Sequence, residues 1–350
     1  MAYTNIDDPS AYFQTALYTG NGTGQTITND GNSDLQPDFL WFKNRDETVS
    51  NILWNSNVGI TKFLISNSTA AEFTNASGYE LTSFNTDGFG LGAHNNAGIN
   101  QSSAYTYVCW QWKANGGTTS SNTDGSKTAT VQANQDAGFS IVTYAGSGSA
   151  STVGHGLADT PDVIIFKNRD DTNVWAVYHQ SLGNNVKLVL NTNAAQDADG
   201  AFMNGTLPTS SVFSVGASVN TNGSGDNYVA YCFAEKQGYS KFGSYVGNGN
   251  ANGTFVYTGF KPAWVMTKET GAAGSWVIYD NKRDAFNPET KLLSAEANSA
   301  ESTFTQYDFV SNGFKFRTSG SENSSGNTHI YMAFAENPFT TSTGIPTTAR

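Results

Sequence analysis

Charge is scarce in this chain of 350 residues. Lys, Arg, Asp and Glu together make up 13% of it, about half the ~25% of an ordinary soluble protein, so polarity must come from Asn, Ser, Thr and Gly. The charge present leans acidic, with 29 Asp and Glu against 18 Lys and Arg, a formal −11. A surface of that sign repels phosphate backbones and argues against a nucleic-acid partner. Long apolar runs are missing too, and none approaches the ~18 residues of a membrane span. The opening MAYTNIDDPS has no basic n-region and no apolar h-region, so no secretory signal is expected. Proline numbers only 8, and no window carries a capped stripe of 3.6-residue period. Helix is therefore expected only as single turns, near 194–201 and 294–302. Two cysteines, Cys109 and Cys232, are too few for a disulfide framework and lack metal-site spacing. They read as buried thiols, with a disulfide between domains as the alternative.

What the chain has in plenty is glycine, 36 residues, and aromatics, 13%. It also says nearly the same thing three times. Pro37 to Asp46 reads PDFLWFKNRD, Pro161 to Asp170 reads PDVIIFKNRD, and Lys261 to Thr270, KPAWVMTKET, is a worn third copy. Before each stands a Tyr-x-Gly turn ending at Gly20, Gly146 or Gly247. After each come a tryptophan (Trp54, Trp175, Trp276), a Lys-led apolar run and an aromatic closing strand from Tyr107, Tyr228 or Ile330. A period of roughly 100 residues exceeds the ~20–50 of a solenoid unit, so each copy reads as a whole domain.

Short β-branched and aromatic runs separated by Asn-Gly and Asp-Gly turns predict an all-β chain. With no helices to cover a sheet, two-sheet packing is the economical way to bury both inner faces. The expectation is three tandem antiparallel β-sandwich domains of jelly-roll type, at 1–115, 138–237 and 238–339. A Gly/Ser/Thr-rich linker would occupy 116–137 and a tail 340–350, with part of the linker, Lys127 to Gln132, alternating like an extra edge strand.

Of the polar segments, Lys43-Asn44-Arg45-Asp46 and Lys167-Asn168-Arg169-Asp170 are the best kept. As a site they would be a sugar- or carboxylate-binding turn; as structure, a strand end with Arg and Asp pairing across it. The third copy keeps only Lys268, which favours structure, since a site needed in every copy would not decay. Trp54, Trp175 and Trp276 read as equivalent, either as stacking faces for sugar rings or as core fillers. The candidate glycan or partner contacts are therefore Arg45, Asp46, Arg169, Asp170, Trp54, Trp175 and Trp276.

Acid–base chemistry is poorly represented. The four histidines, His94, His155, His179 and His329, fall at non-equivalent places. There is no His-x-x-x-His, Cys-x-x-Cys or Gly-x-Ser-x-Gly, and Asp197, Asp199 and Asn204 form only a weak acidic cluster. A distant carboxylate pair of the glycosidase kind has no local signature. The expectation is no enzyme, no cofactor and no metal.

The opening Ile6 to Thr15, the turn Tyr18 to Gly22, Val153 to Leu157, the two KNRD segments, Tyr331 to Phe339 and the closing Gly344 to Arg350 resemble virion-associated proteins of marine tailed bacteriophages, especially cyanophages. The resemblance spans nearly the whole chain. It implies a tail, tail-fibre or other structural protein with concanavalin A-like lectin/glucanase-type domains, and it supplies no catalytic residues. On this reading the protein is a non-enzymatic virion component, a tail fibre or adhesin facing the host surface. Its partners would be other virion proteins and host glycan, and it would form a homo-oligomer. The alternatives are a head-decoration or connector protein that binds only virion proteins, and a glycan depolymerase of the particle.

Overall fold

The computed structural model describes residues 2–95, 97–101 and 105–347. The chain is all-β, and its antiparallel sheets pack in the manner of a β-sandwich, as the turn-punctuated strand pattern predicts. The helices described are single turns such as Val219–Asn222, but 194–201 and 294–302, where turns of helix were expected, hold none, and no described helix is long and apolar enough to cross a membrane.

One strand order recurs three times. In the first repeat the opening strand Phe13–Thr19 pairs with the closing strand Thr106–Trp112. That strand pairs with Phe39–Asn44, followed across the sheet by Ile52–Asn55 and Lys62–Ile65. The second runs Phe139–Ala145, Asn227–Phe233, Val163–Asn168, Ala176–His179, Val186–Val189. In the third the order is Ser240–Val246, Thr328–Pro338, Phe260–Glu269, Val277–Asp280, Glu289–Ser294.

Both faces of these sheets are covered, which is why Phe39–Asn44 and Val163–Asn168 are buried at every position and read as continuous runs rather than alternating ones. In the first repeat one face, with Leu40, Phe42, Trp54, Tyr107 and Cys109, packs against Phe89 and Leu91 of a smaller three-stranded sheet. The other face, with Trp41, Leu53, Trp110 and Trp112, enters a cluster shared by all three repeats. Trp112, Phe233 and Phe334 hold the same register position. They pack on one another with ring centroids 6.4, 5.6 and 6.0 Å apart and mark a pseudo-threefold axis. Burying one such ring stabilises by roughly 1.5–3 kcal/mol, and at the axis that gain exists only when the repeats are together.

The segment 116–137 is not a loose linker. Ser120–Asn122 and Ala129–Asn134 form a hairpin that extends the second repeat's sheet past Phe139–Ala145. Its Gly/Ser/Thr-rich composition suggested a connector, but the alternation around Thr130 turns Ala129 and Val131 into that repeat's core. At the other end, residues 340–347 turn back on the N-terminus, where Asp7 accepts hydrogen bonds from Ser342 N and Oγ at 2.6 Å each. Thr348, Ala349 and Arg350, the end of the expected tail and of the closing motif, lie outside the described residues. Cys109 and Cys232 are buried in the cores of different repeats and are unpaired.

Candidate functional site

Every residue of the KNRD segments has a structural partner. Asn44 and Asn168 turn the chain, each Oδ1 accepting from the backbone N–H two residues on at 2.9 Å. Asp46 and Asp170 tie that turn to the closing strand, accepting from Thr106 N at 2.5 Å and Asn227 N at 2.7 Å. Lys and Arg leave their own repeat. Arg169 makes a two-pronged pair with Glu72 of the first repeat at 2.7 and 3.1 Å. Arg45 does the same with Glu301 of the third, at 2.8 Å for both prongs. These four residues stand on strand ends and loops that meet across the repeat boundary, which a linear reading of either motif does not show.

The lysines complete a cycle. Lys43 Nζ donates to Asn298 O of the third repeat at 3.1 Å, Lys167 Nζ to Thr69 O of the first at 3.1 Å, and Lys268 Nζ to Asn193 O of the second at 3.4 Å. Each is almost fully buried, and burial lowers each amine from its ordinary 10.5 to about 8. First grips third, second grips first, third grips second. The contacts close a ring.

The tryptophans belong to the same ring, with one correction. Trp175 Nε1 donates to Ile65 O at 3.0 Å and Ser68 O at 3.2 Å, and Trp276 Nε1 donates to Val189 O at 3.0 Å. Their counterpart in the first repeat is Asn51, which donates to Ser294 O at 3.2 Å and Ala297 O at 2.8 Å. Trp54 sits three residues further on. Its register partner is Leu40, where Tyr178 faces Ile164 and Tyr279 faces Val265, so it fills the first repeat's own core. Trp54, Trp175 and Trp276 are 0, 0 and 1% exposed. No indole face among them is open to a sugar ring, which removes all three as glycan contacts.

Three asparagines with the same job went unnoticed in the sequence. Asn100, Asn222 and Asn323 are fully buried, and their side-chain amides bridge loops: Asn100 to Thr23 O and Gly92 O, Asn222 to Ser149 O and Gly216 O, Asn323 to Asn250 O and Thr318 O. Each also receives the N–H that follows the Tyr-x-Gly turn, from Asn21, Ser147 or Asn248. The turn needs its glycine: a Cβ on Gly146 would lie 1.9 Å from Gly223 O. Spacing from the aromatic strand (seven, six and seven residues before Tyr107, Tyr228 and Ile330) was the available signal. In the weak acidic cluster, Lys187 Nζ sits between Asp197 and Asp199 at 2.7 and 3.0 Å and supplies the positive charge itself.

One polar hollow does not belong to the ring. On the third repeat, Lys261, Asn281, Phe286, Glu289, Glu336 and Asn337 line a groove of ≈ 420 Å³. Glu289 is 3% exposed, and its Oε2 has no hydrogen-bond partner among the described residues. Burial, with Asp280 and Asp284 nearby, pushes its carboxyl up to about 9, so it is protonated at neutral pH. Phe286 stands at the rim, 83% exposed. The groove exists because this repeat has a longer loop. Ten residues separate the register partners Leu53 and Leu64, ten separate Val177 and Leu188, and fourteen separate Ile278 and Leu293.

Residues 8–338 match a family described as a domain of unknown function (DUF7483). No curated protein matches the chain.

Proposed function

We propose that this chain, which belongs to the DUF7483 family over nearly its whole length, is a non-enzymatic virion structural protein of a tailed bacteriophage, a tail-fibre or adhesin part facing the host surface. Its three repeats are read as three concanavalin A-like sandwich domains locked into one body. The observation that carries this is the fate of the shared polar residues. Lys, Asn, Arg and Asp of the KNRD segments are all used to shape the turn or to grip the neighbouring repeat. Residues kept in common that serve assembly indicate a chain whose product is a shape. The phage setting rests on the resemblance of the KNRD segments, Val153 to Leu157 and Tyr331 to Phe339.

Immunogold labelling of intact virions with antibody to this protein tests the proposal. Label at the distal tail or fibre is expected. Label over the head shell or neck would make it a decoration or connector part, and absence from purified particles would end the virion reading. The depolymerase alternative keeps one observation in its favour, since a groove carboxyl that stays protonated at neutral pH is what a general acid requires. Release of reducing ends from host polysaccharide, lost in Glu289→Gln, would decide for it.

A further inference from the structure

We propose that the groove on the third repeat binds an uncharged saccharide unit, the Phe286 ring lying against the sugar's apolar face and the Glu289 carboxyl group hydrogen-bonding one of its hydroxyls. The inference concerns the groove alone and stands wherever in the particle, or outside it, the protein is found.

Four observations lead to it. First, the groove is particular to one repeat, built by the four extra residues between Ile278 and Leu293. It is therefore absent from the architecture that the repeats share. Second, Phe286 is held out rather than left loose. The neighbouring Asn287 side chain donates to Phe309 O and accepts from Phe309 N, both at 2.8 Å, and Asp284 accepts from Thr290 N and Lys291 N at 2.5 and 2.9 Å. The ring itself stands 83% exposed at the edge of the hollow, free to lie against an apolar ligand face, and aromatic rings are the usual wall of small-ligand sites.

Third, the Glu289 side chain lines that hollow and its buried Oε2 has no partner among the described residues, so turning the carboxyl group toward a ligand's hydroxyl gives up no hydrogen bond at that oxygen. Fourth, the charges around the groove are already matched. Lys261 pairs with Glu336 at 2.5 Å, Lys282 with Asp30 at 2.8 Å, and Arg283 with Asp280 at 2.6 Å. No cation is left over among these for an anionic ligand, and a protonated Glu289 offers no anion to a cationic one. The side-chain amides of Asn281 and Asn337, each both donor and acceptor, suit a ligand rich in hydroxyls. The hollow, ≈ 420 Å³, falls within the roughly 300–1,000 Å³ of small-molecule sites.

Saturation-transfer difference NMR on the intact protein, with methyl glycosides of glucose, galactose, mannose, fucose and N-acetylglucosamine as probes, tests the proposal. At about 10 mM sugar, even millimolar affinity fills most sites. At least one probe should show transfer to its ring protons, and Phe286→Ala should weaken it about tenfold. That variant should leave thermal stability unchanged, because the ring is exposed. Raising pH through about 9 should reduce wild-type binding as Glu289 ionises, while Glu289→Gln, whose amide still donates, should bind evenly across that range. No transfer from any of the five glycosides overturns the proposal. So does binding that Phe286→Ala leaves intact.

Discussion

Gln196 donates its backbone N–H to the carbonyl oxygen of Thr270 at 2.8 Å, the contact that Glu72 makes with Arg169 and Glu301 with Arg45 at the other two junctions. The backbone geometry is thus threefold, while the charge pair is present only twice. At the third junction both members are changed, Thr in place of Arg and Gln in place of Glu. The worn third copy is therefore not a site in decay. Both positions carry neutral side chains there, so neither stands as an unmatched half-buried charge.

That view predicts a particular pattern of coupling. A double-mutant cycle of Arg169→Ala and Glu72→Ala, followed by denaturant unfolding, should give a favourable interaction of about 1 kcal/mol, because the pair is two-pronged and mostly shielded. Thr270→Arg with Gln196→Glu should show coupling of the same sign, although Thr270→Arg alone should be destabilising. It loses the Oγ1 bond to Thr328 O and brings an unpaired charge to a buried position. Strict additivity in both cycles would mean that the junctions are not matched by charge.

The shared cluster on the axis makes a second prediction. Trp112, Phe233 and Phe334 bury one another, and an excised repeat would expose its share of that cluster to water. The full chain should unfold in one cooperative transition with coincident near- and far-ultraviolet signals. Segments 1–115, 116–237 and 238–347 expressed alone, the second with the hairpin that completes its sheet, should aggregate or self-associate. Three soluble monomers whose near-ultraviolet spectra sum to that of the whole would show that the repeats are independent.

Strand content, the threefold repeat and the order of its parts were legible because each strand carries its pattern locally: an aromatic run, an Asn-Gly turn, a Tyr-x-Gly. What the face-to-face packing of repeats does with those strands was not legible. Trp110 and Trp112 share a face by parity, but parity cannot tell a solvent platform from an axis between repeats. Equivalence was also misjudged at Trp54, since counting from one conspicuous residue type to the next ignores register, and Asn51 fills the true position. The hairpin at 120–134 was partly hidden by composition, since Ser and Thr on an exposed edge strand look like linker. Glu289 and Phe286 had no repeat partner to draw attention to them. Their signal was the additional loop length itself.

His329 occupies the position of Tyr107 and Tyr228, and its ring stacks on Tyr245 at 5.0 Å. The two tyrosine hydroxyls have partners, but neither nitrogen of His329 has one among the described residues. Burial, and then the positive Lys268, lowers this imidazole to about 4 from 6.5. Between those values the unfolded chain binds the proton and the folded one does not, so stability contributed by the neutral ring is lost as pH falls from 6.5 to 4. His329→Phe should raise stability at pH 7 by about 1 kcal/mol and flatten the acid limb. His179, also lowered to about 4, will keep part of the slope. An unchanged acid limb in His329→Phe would count against a buried neutral imidazole.

The three ring lysines and Glu289 predict opposite slopes in alkali. Lys167 is at about 8 folded and 10.5 unfolded, so the unfolded chain holds more protons in that window, and stability rises with pH across it. Glu289, about 9 folded against 4.5 unfolded, does the reverse, and its contribution is lost as pH rises from 4.5 to 9. The two overlap in wild type and must be separated by difference. Unfolding free energies measured from pH 5 to 10.5 should show wild type gaining on Lys167→Met above pH 8. Wild type should lose ground to Glu289→Gln as pH climbs toward 9. Lys167→Met will itself lower stability, because Thr69 O and Asn173 O lose their donor, but a constant offset leaves the slope readable. If the gap between wild type and Lys167→Met is flat above pH 8, the amine is not held in a low-dielectric junction. The ring would then be closed by packing alone.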